Sequence, residues 1–177
     1  MRYIALLRGI NVGGHTVKMD RLRQLFEELG LARVRTYIQS GNVFFETNQT
    51  DRTALTDTIE RHLRAALGYD VAVFLRTIPE LEEIAASDAF AHLDVTPDTR
   101  LTVVFLAEPL PTTLTLPYRS PRGDVEIVRA TDGEAYVVWY LQNGRPPGNQ
   151  SFKPLGDRTT TRFFHTVAKI LEAAKQG

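Results

Sequence analysis

Two runs of five residues, 3–7 and 71–75, are apolar at every position. Runs this short read as strands, and apolar side chains on both alternating faces require both faces to be covered. A chain that opens on such a strand must place it inside a sheet and pack something above and below it. Between the two runs the pattern switches to helical spacing twice. Leu22, Leu25, Phe26 and Leu29 recur every three to four positions with Arg21, Arg23, Gln24, Glu27 and Glu28 opposite them, and Gly30 stands where a helix-ending glycine belongs. Leu55, Ile59, Leu63, Ala66 and Leu67 form a second stripe, closed by Gly68. Val34, Thr36 and Ile38 alternate with Arg35, Tyr37 and Gln39. A Ser40-Gly41-Asn42 turn then leads into Val43, Phe44 and Phe45, which reads as a hairpin.

Residues 1–76 therefore read β-α-β-β-α-β, the order of the ferredoxin-like motif. Residues 77–177 read as a second, diverged α/β half packed against the first, so the expected class is α+β and the two halves one compact unit. Thr77 and Glu80 have capping-box spacing with Pro79 in the first turn, predicting a helix through Leu81, Ile84 and Ala85. A buried-type strand is expected over 101–107. Prolines 109, 111, 117 and 121 leave room for at most a turn or two of helix. Residues 125–129 and 134–141 make a second hairpin around Thr131-Asp132-Gly133. A Gly/Pro-rich loop runs from 143 to 157. The final helix is predicted to start near Thr159–Thr161 and to carry Phe163, Val167, Ile170, Leu171 and Ala174 on one face.

Composition excludes several classes. The 177 residues carry 21 basic and 21 acidic side chains, and this balance argues against non-specific nucleic-acid or membrane-surface binding, which needs a basic excess. Cysteine is absent, which removes disulfides, thiolate nucleophiles and cysteine metal sites together. The count fits a reducing compartment, and the expected location is cytoplasmic. The N-terminal apolar run is too short for a signal-peptide core, and no apolar stretch is long enough to span a bilayer.

Two motifs stand out: YIALLRGINVGG over 3–14 and RTYIQSGNV over 35–43. Together with Lys18-Met19 they resemble the bacterial family called domain of unknown function 1697. The C-terminal run 160–167 is similar to that family's Thr-x-Arg-Asn-Trp-x-Thr-Val signature, with Phe163 and Phe164 in place of Asn and Trp. The resemblance implies a ferredoxin-like α+β fold with two related halves and implies no assigned activity.

Topology brings the first-strand loop and the second-to-third-strand hairpin to one end of the sheet. Arg8, Gly9, Asn11, Gly13 and Gly14 should then face Gln39, Ser40 and Asn42. A permanent cation, loop amides, carboxamides and a hydroxyl in one concavity suit a small anionic or polar ligand. The structural alternative is that the glycines supply left-handed backbone, the asparagines bond their own turns and Arg8 pairs with a carboxylate. Residues 9–16 approach the phosphate-loop pattern G-x-x-x-x-G-K-S/T, but His15 replaces its lysine and the helical stripe begins only at Leu22.

A second anion site is expected at Lys153, Thr160 and Arg162, around the predicted start of the last helix, with simple helix capping as the alternative. The four histidines, 15, 62, 92 and 165, lack ligand spacing, so neither a metal nor a cofactor is expected. No general base or nucleophile stands out, which favours binding over catalysis. A protein-interaction or structural module is the other function class. Nucleic-acid binding on the sheet face is a third, weakened by the strands apolar on both faces.

Overall fold

The computed structural model describes residues 1–10, 14–38 and 41–177. Their contacts divide the chain into two units: Met1–Glu83 with Ala168–Gly177, and Ile84–Val167.

In the first unit β1 (Arg2–Leu7), α1 (Met19–Glu27), β2 (Ala32–Tyr37), β3 (Asn42–Glu46), α2 (Arg52–Leu67) and β4 (Val73–Arg76) follow in the expected β-α-β-β-α-β order. The sheet order is β2-β3-β1-β4, with every neighbouring pair antiparallel. β1 is central, and Tyr3 to Leu7 are each 0–2% exposed, as a strand apolar on both faces must be. Register sorts the faces. Tyr3 lies opposite Phe45 and Ala5 opposite Val43. These four pack with Leu22, Leu25 and Phe26 of α1 and with Leu55, Ile59 and Leu63 of α2. On the reverse face Arg2 lies opposite Glu46, and Phe44 lies between Ile4 and Arg35.

Local chemistry sets the helix ends. Asp51 caps α2 by accepting from the Ala54 amide at 3.0 Å, and Gly68 ends it at φ +83°. Thr77 and Glu80 form the expected reciprocal box ahead of α3 (Ile78–Ala85). The Thr77 amide donates to Glu80 Oε1 at 2.8 Å, and the Glu80 amide donates to Thr77 Oγ1 at 3.4 Å. Burial alone would push the Glu80 carboxyl up. Its bonds to Arg52, at 2.9 Å to each carboxylate oxygen, and to Thr77 outweigh that and hold it below the ordinary range.

The second unit carries β5 (Thr99–Leu106), β6 (Tyr118–Arg119), β7 (Val125–Ala130), β8 (Glu134–Tyr140) and β9 (Thr159–Phe163) in the antiparallel order β6-β7-β8-β5-β9. The proline-rich connector forms the two-residue strand β6 and no helix. Within the 143–157 loop, Asn149–Leu155 form a 3₁₀ turn. Ser151 of that turn donates to Asp124 Oδ1 at 2.6 Å, and Ser120 donates to the same oxygen at 2.8 Å.

The last helix starts later than the sequence predicts. Thr159–Phe163 is a strand paired with β5, and α4 spans Phe164–Lys175. Three consecutive β-branched threonines favour an extended chain, and the β5 edge satisfies their backbone groups. The end of α4 belongs with the first unit rather than with residues 84–167. Arg35 donates to the Ala173 carbonyl at 3.2 Å and to that of Ala174 at 3.4 Å, and Arg2 donates to Gly177 O at 2.8 Å. The Ala173 and Ala174 carbonyls lie in the last turn of α4, where a helix C-terminus leaves carbonyls without an i+4 partner. Among the described residues no helix is long and apolar enough to cross a membrane.

Candidate functional site

The roots of the two motif loops are joined. The Leu7 amide, at the end of β1, donates to the Gly41 carbonyl, at the end of the hairpin turn, at 2.8 Å. Gly41 has φ +95°, and a Cβ there would meet Ile10 Cγ2 at 2.8 Å and Leu7 Cβ at 3.0 Å. Only a glycine lets the hairpin come this close to the first loop in this backbone conformation. The Arg8 amide donates to the Ala72 carbonyl at 3.0 Å, which ties the loop's first residue to the chain entering β4. Arg8 is exposed and Gly9 follows at φ +66°.

Farther along the first loop, Tyr69 holds both sides of the segment. Its hydroxyl donates to the Ile10 carbonyl at 3.3 Å, and its ring stacks on His15 at 3.8 Å between centroids. Burial pushes the Tyr69 phenol above its usual value, so it remains a donor at neutral pH. Sequence reasoning did not single out Tyr69, because no local pattern links it to the first loop. Gly14, at φ +86°, has no atom within 4 Å of the point where a Cβ would stand, so its role is conformational rather than steric.

The hairpin side is built differently from the expectation. Asn42 is fully buried, and its Nδ2 donates to the Tyr37 carbonyl at 2.8 Å. Its amide closes the hairpin that carries the loop. Ile38, at the start of the turn, is held at φ +61°. A β-branched residue in that region is a true outlier. Asn11, Gly13, Gln39 and Ser40, also expected to line this end, lie outside the described residues.

The second expected anion site does not assemble as predicted. Thr160 and Arg162 lie in β9 and are each 6% exposed, so no helix N-terminus presents amides there. The Arg162 guanidinium donates to Thr160 Oγ1 at 2.8 Å and to the Thr161 carbonyl at 3.0 Å. Burial draws its pKa down to about 10, which still leaves it charged at neutral pH. Lys153 is exposed within the 3₁₀ turn. The strand explains the difference: it turns Thr160 and Arg162 inward together, two positions apart on one face.

Comparison with known proteins agrees with this architecture. A family model described as a protein of unknown function, DUF1697, matches residues 1–136. The conserved bacterial protein SP0830 from Streptococcus pneumoniae has a similar structure, with a TM-score of 0.68 and 25% sequence identity over 98% of each chain. No curated protein matches the chain.

Proposed function

Since the chain belongs to the DUF1697 family, which assigns no chemistry, we propose from geometry that it binds a small anionic or polar ligand at the Arg8 end of its first sheet. The observation that carries this reading is the bond between the Leu7 amide and the Gly41 carbonyl. It fixes the roots of both motif loops side by side, with the exposed residue Arg8 next along the chain from Leu7. Arg8 would supply positive charge, and the glycine-rich backbone would let amides approach an anion closely. Ile38 in a left-handed conformation supports the same reading, because backbone strain is retained where a loop's shape matters more than its stability.

The reading is one of binding, and it includes a cytoplasmic setting, with which the absence of cysteine accords. Stacking of nucleic-acid bases on the sheet gains no support: Phe44 and Phe45 are 5% and 2% exposed.

The test is amide chemical-shift mapping with inorganic phosphate, a sugar phosphate and a nucleoside monophosphate. Saturable shifts at Arg8, Gly9 and Gly41 support the reading. Shifts elsewhere, or none with any probe, move the weight to a protein-interaction role.

A further inference from the structure

At the opposite end of β1 from Arg8, the first unit has a cavity of about 250 Å³. We propose that it binds a small carboxylate with a compact apolar body, such as a single ring or a short branched acyl chain. The site is separate from the Arg8 loop and does not depend on it.

Strand register builds the polar side. Arg2 and Glu46 are cross-strand partners, and Arg35 is the partner of Phe44, so these four side chains share one face of the sheet. Between Ala32 and Arg35 the β2–β3 register slips, and within that bulge Arg33 sits at φ +52°. Bulges re-aim side chains, and here the Arg33 Nε reaches Glu46 Oε2 at 3.0 Å. The other Glu46 oxygen lies 3.5 Å from Arg2 Nε. The lining thus carries three guanidiniums, Arg2, Arg33 and Arg35, against the Glu46 carboxylate and the Gly177 oxygen to which Arg2 donates at 2.8 Å. That excess of positive charge selects an anion over a neutral or cationic ligand.

The apolar side comes from Phe44, Val34 and Ala174, each at most 8% exposed. Arg35 is fixed before any ligand arrives. It is held by the carbonyls at the end of α4, and its guanidinium carbon lies 5.0 Å from the Phe44 ring centroid. A charged group facing Arg33 and Arg2 would lay its attached body against this aromatic wall. An inorganic anion would leave the wall unused. Cavities for drug-sized ligands run to roughly 300–1,000 Å³, so this one suits a smaller molecule and excludes a nucleotide.

The test titrates benzoate into the full chain, with benzamide as its uncharged counterpart, and follows amide shifts. Wild type is expected to show saturable benzoate shifts at Val34, Phe44 and Phe45. Benzamide should bind about tenfold or more weakly, since a charge-assisted contact contributes roughly 1.5–3 kcal/mol. Arg33→Gln changes an exposed side chain and should keep the fold while weakening benzoate by a similar factor. Arg8→Ala should leave benzoate binding unchanged. No saturable benzoate shift, equal binding of benzamide, or full binding by a folded Arg33→Gln variant would each overturn the proposal.

Discussion

Gly41 sits against Ile10 so closely that a single added carbon would lie 2.8 Å from Ile10 Cγ2. This contact, with the Leu7–Gly41 bond beside it, sets the geometry of the proposed ligand end. Gly41→Ala adds both a steric clash and the strain of a left-handed alanine. It should cost about 2–5 kcal/mol by chemical denaturation, the sum of roughly 1–2 for backbone and 1–3 for overpacking. Gly14→Ala has the same backbone problem, at φ +86°, but open space around it. It should cost only about 1 kcal/mol. Equal losses for the two would mean that the close approach at Gly41 carries no weight.

Ile38 is exposed to 44% and left-handed at φ +61°. Asparagine tolerates that conformation and isoleucine does not. Ile38→Asn should therefore raise stability by about 1 kcal/mol. A loss of stability on denaturant titration would show that the isoleucine side chain contributes more in place than its backbone costs.

In the second unit the Asp124 carboxylate, just ahead of β7, accepts from Ser151 of the 3₁₀ turn and from Ser120 after β6. Burial alone would raise its pKa. The two serine hydroxyls, with a backbone hydrogen bond and the charge of Arg122, outweigh burial and hold it below its ordinary value of 3.8. A lowered folded pKa adds stability above the unfolded value, and that stability is lost as pH falls through the folded one. Wild type should thus lose stability below about pH 4 more steeply than Asp124→Asn, which cannot titrate there. Asp124→Ala should cost about 2–4 kcal/mol at neutral pH, because two buried hydroxyl donors lose their acceptor. It should also speed amide exchange over residues 149–155. An unchanged exchange rate there would mean that the turn is held by other contacts.

The first unit was largely legible because its signals are local. Its apolar strands, its helical stripes, Gly68 and the Thr77–Glu80 box each act within a few residues. What escaped depends on distant partners. Thr159 to Arg162 look like a helix start in isolation, and only the β5 edge, more than fifty positions earlier, makes them a strand. Asn42 reads as a turn residue with a side chain available to a ligand, yet burial directs its amide onto Tyr37. The Arg33 bulge left no trace in the sequence, because arginine has no preference for left-handed backbone. The joining of the two motif loops was readable from strand order alone, since a β-α-β crossover brings both strand ends to the same side.

The most direct measurement is a pair of melting curves, wild type and Arg8→Ala, against a panel of phosphates, sugar phosphates and nucleotides. A ligand at 100 times its dissociation constant adds about 2.7 kcal/mol, which for a chain of this size raises the melting temperature by about 5–10 °C. The account predicts a rise of that order with at least one anion in wild type, and its loss in Arg8→Ala. A rise of equal size in both proteins would contradict it and place the ligand away from the Arg8 loop.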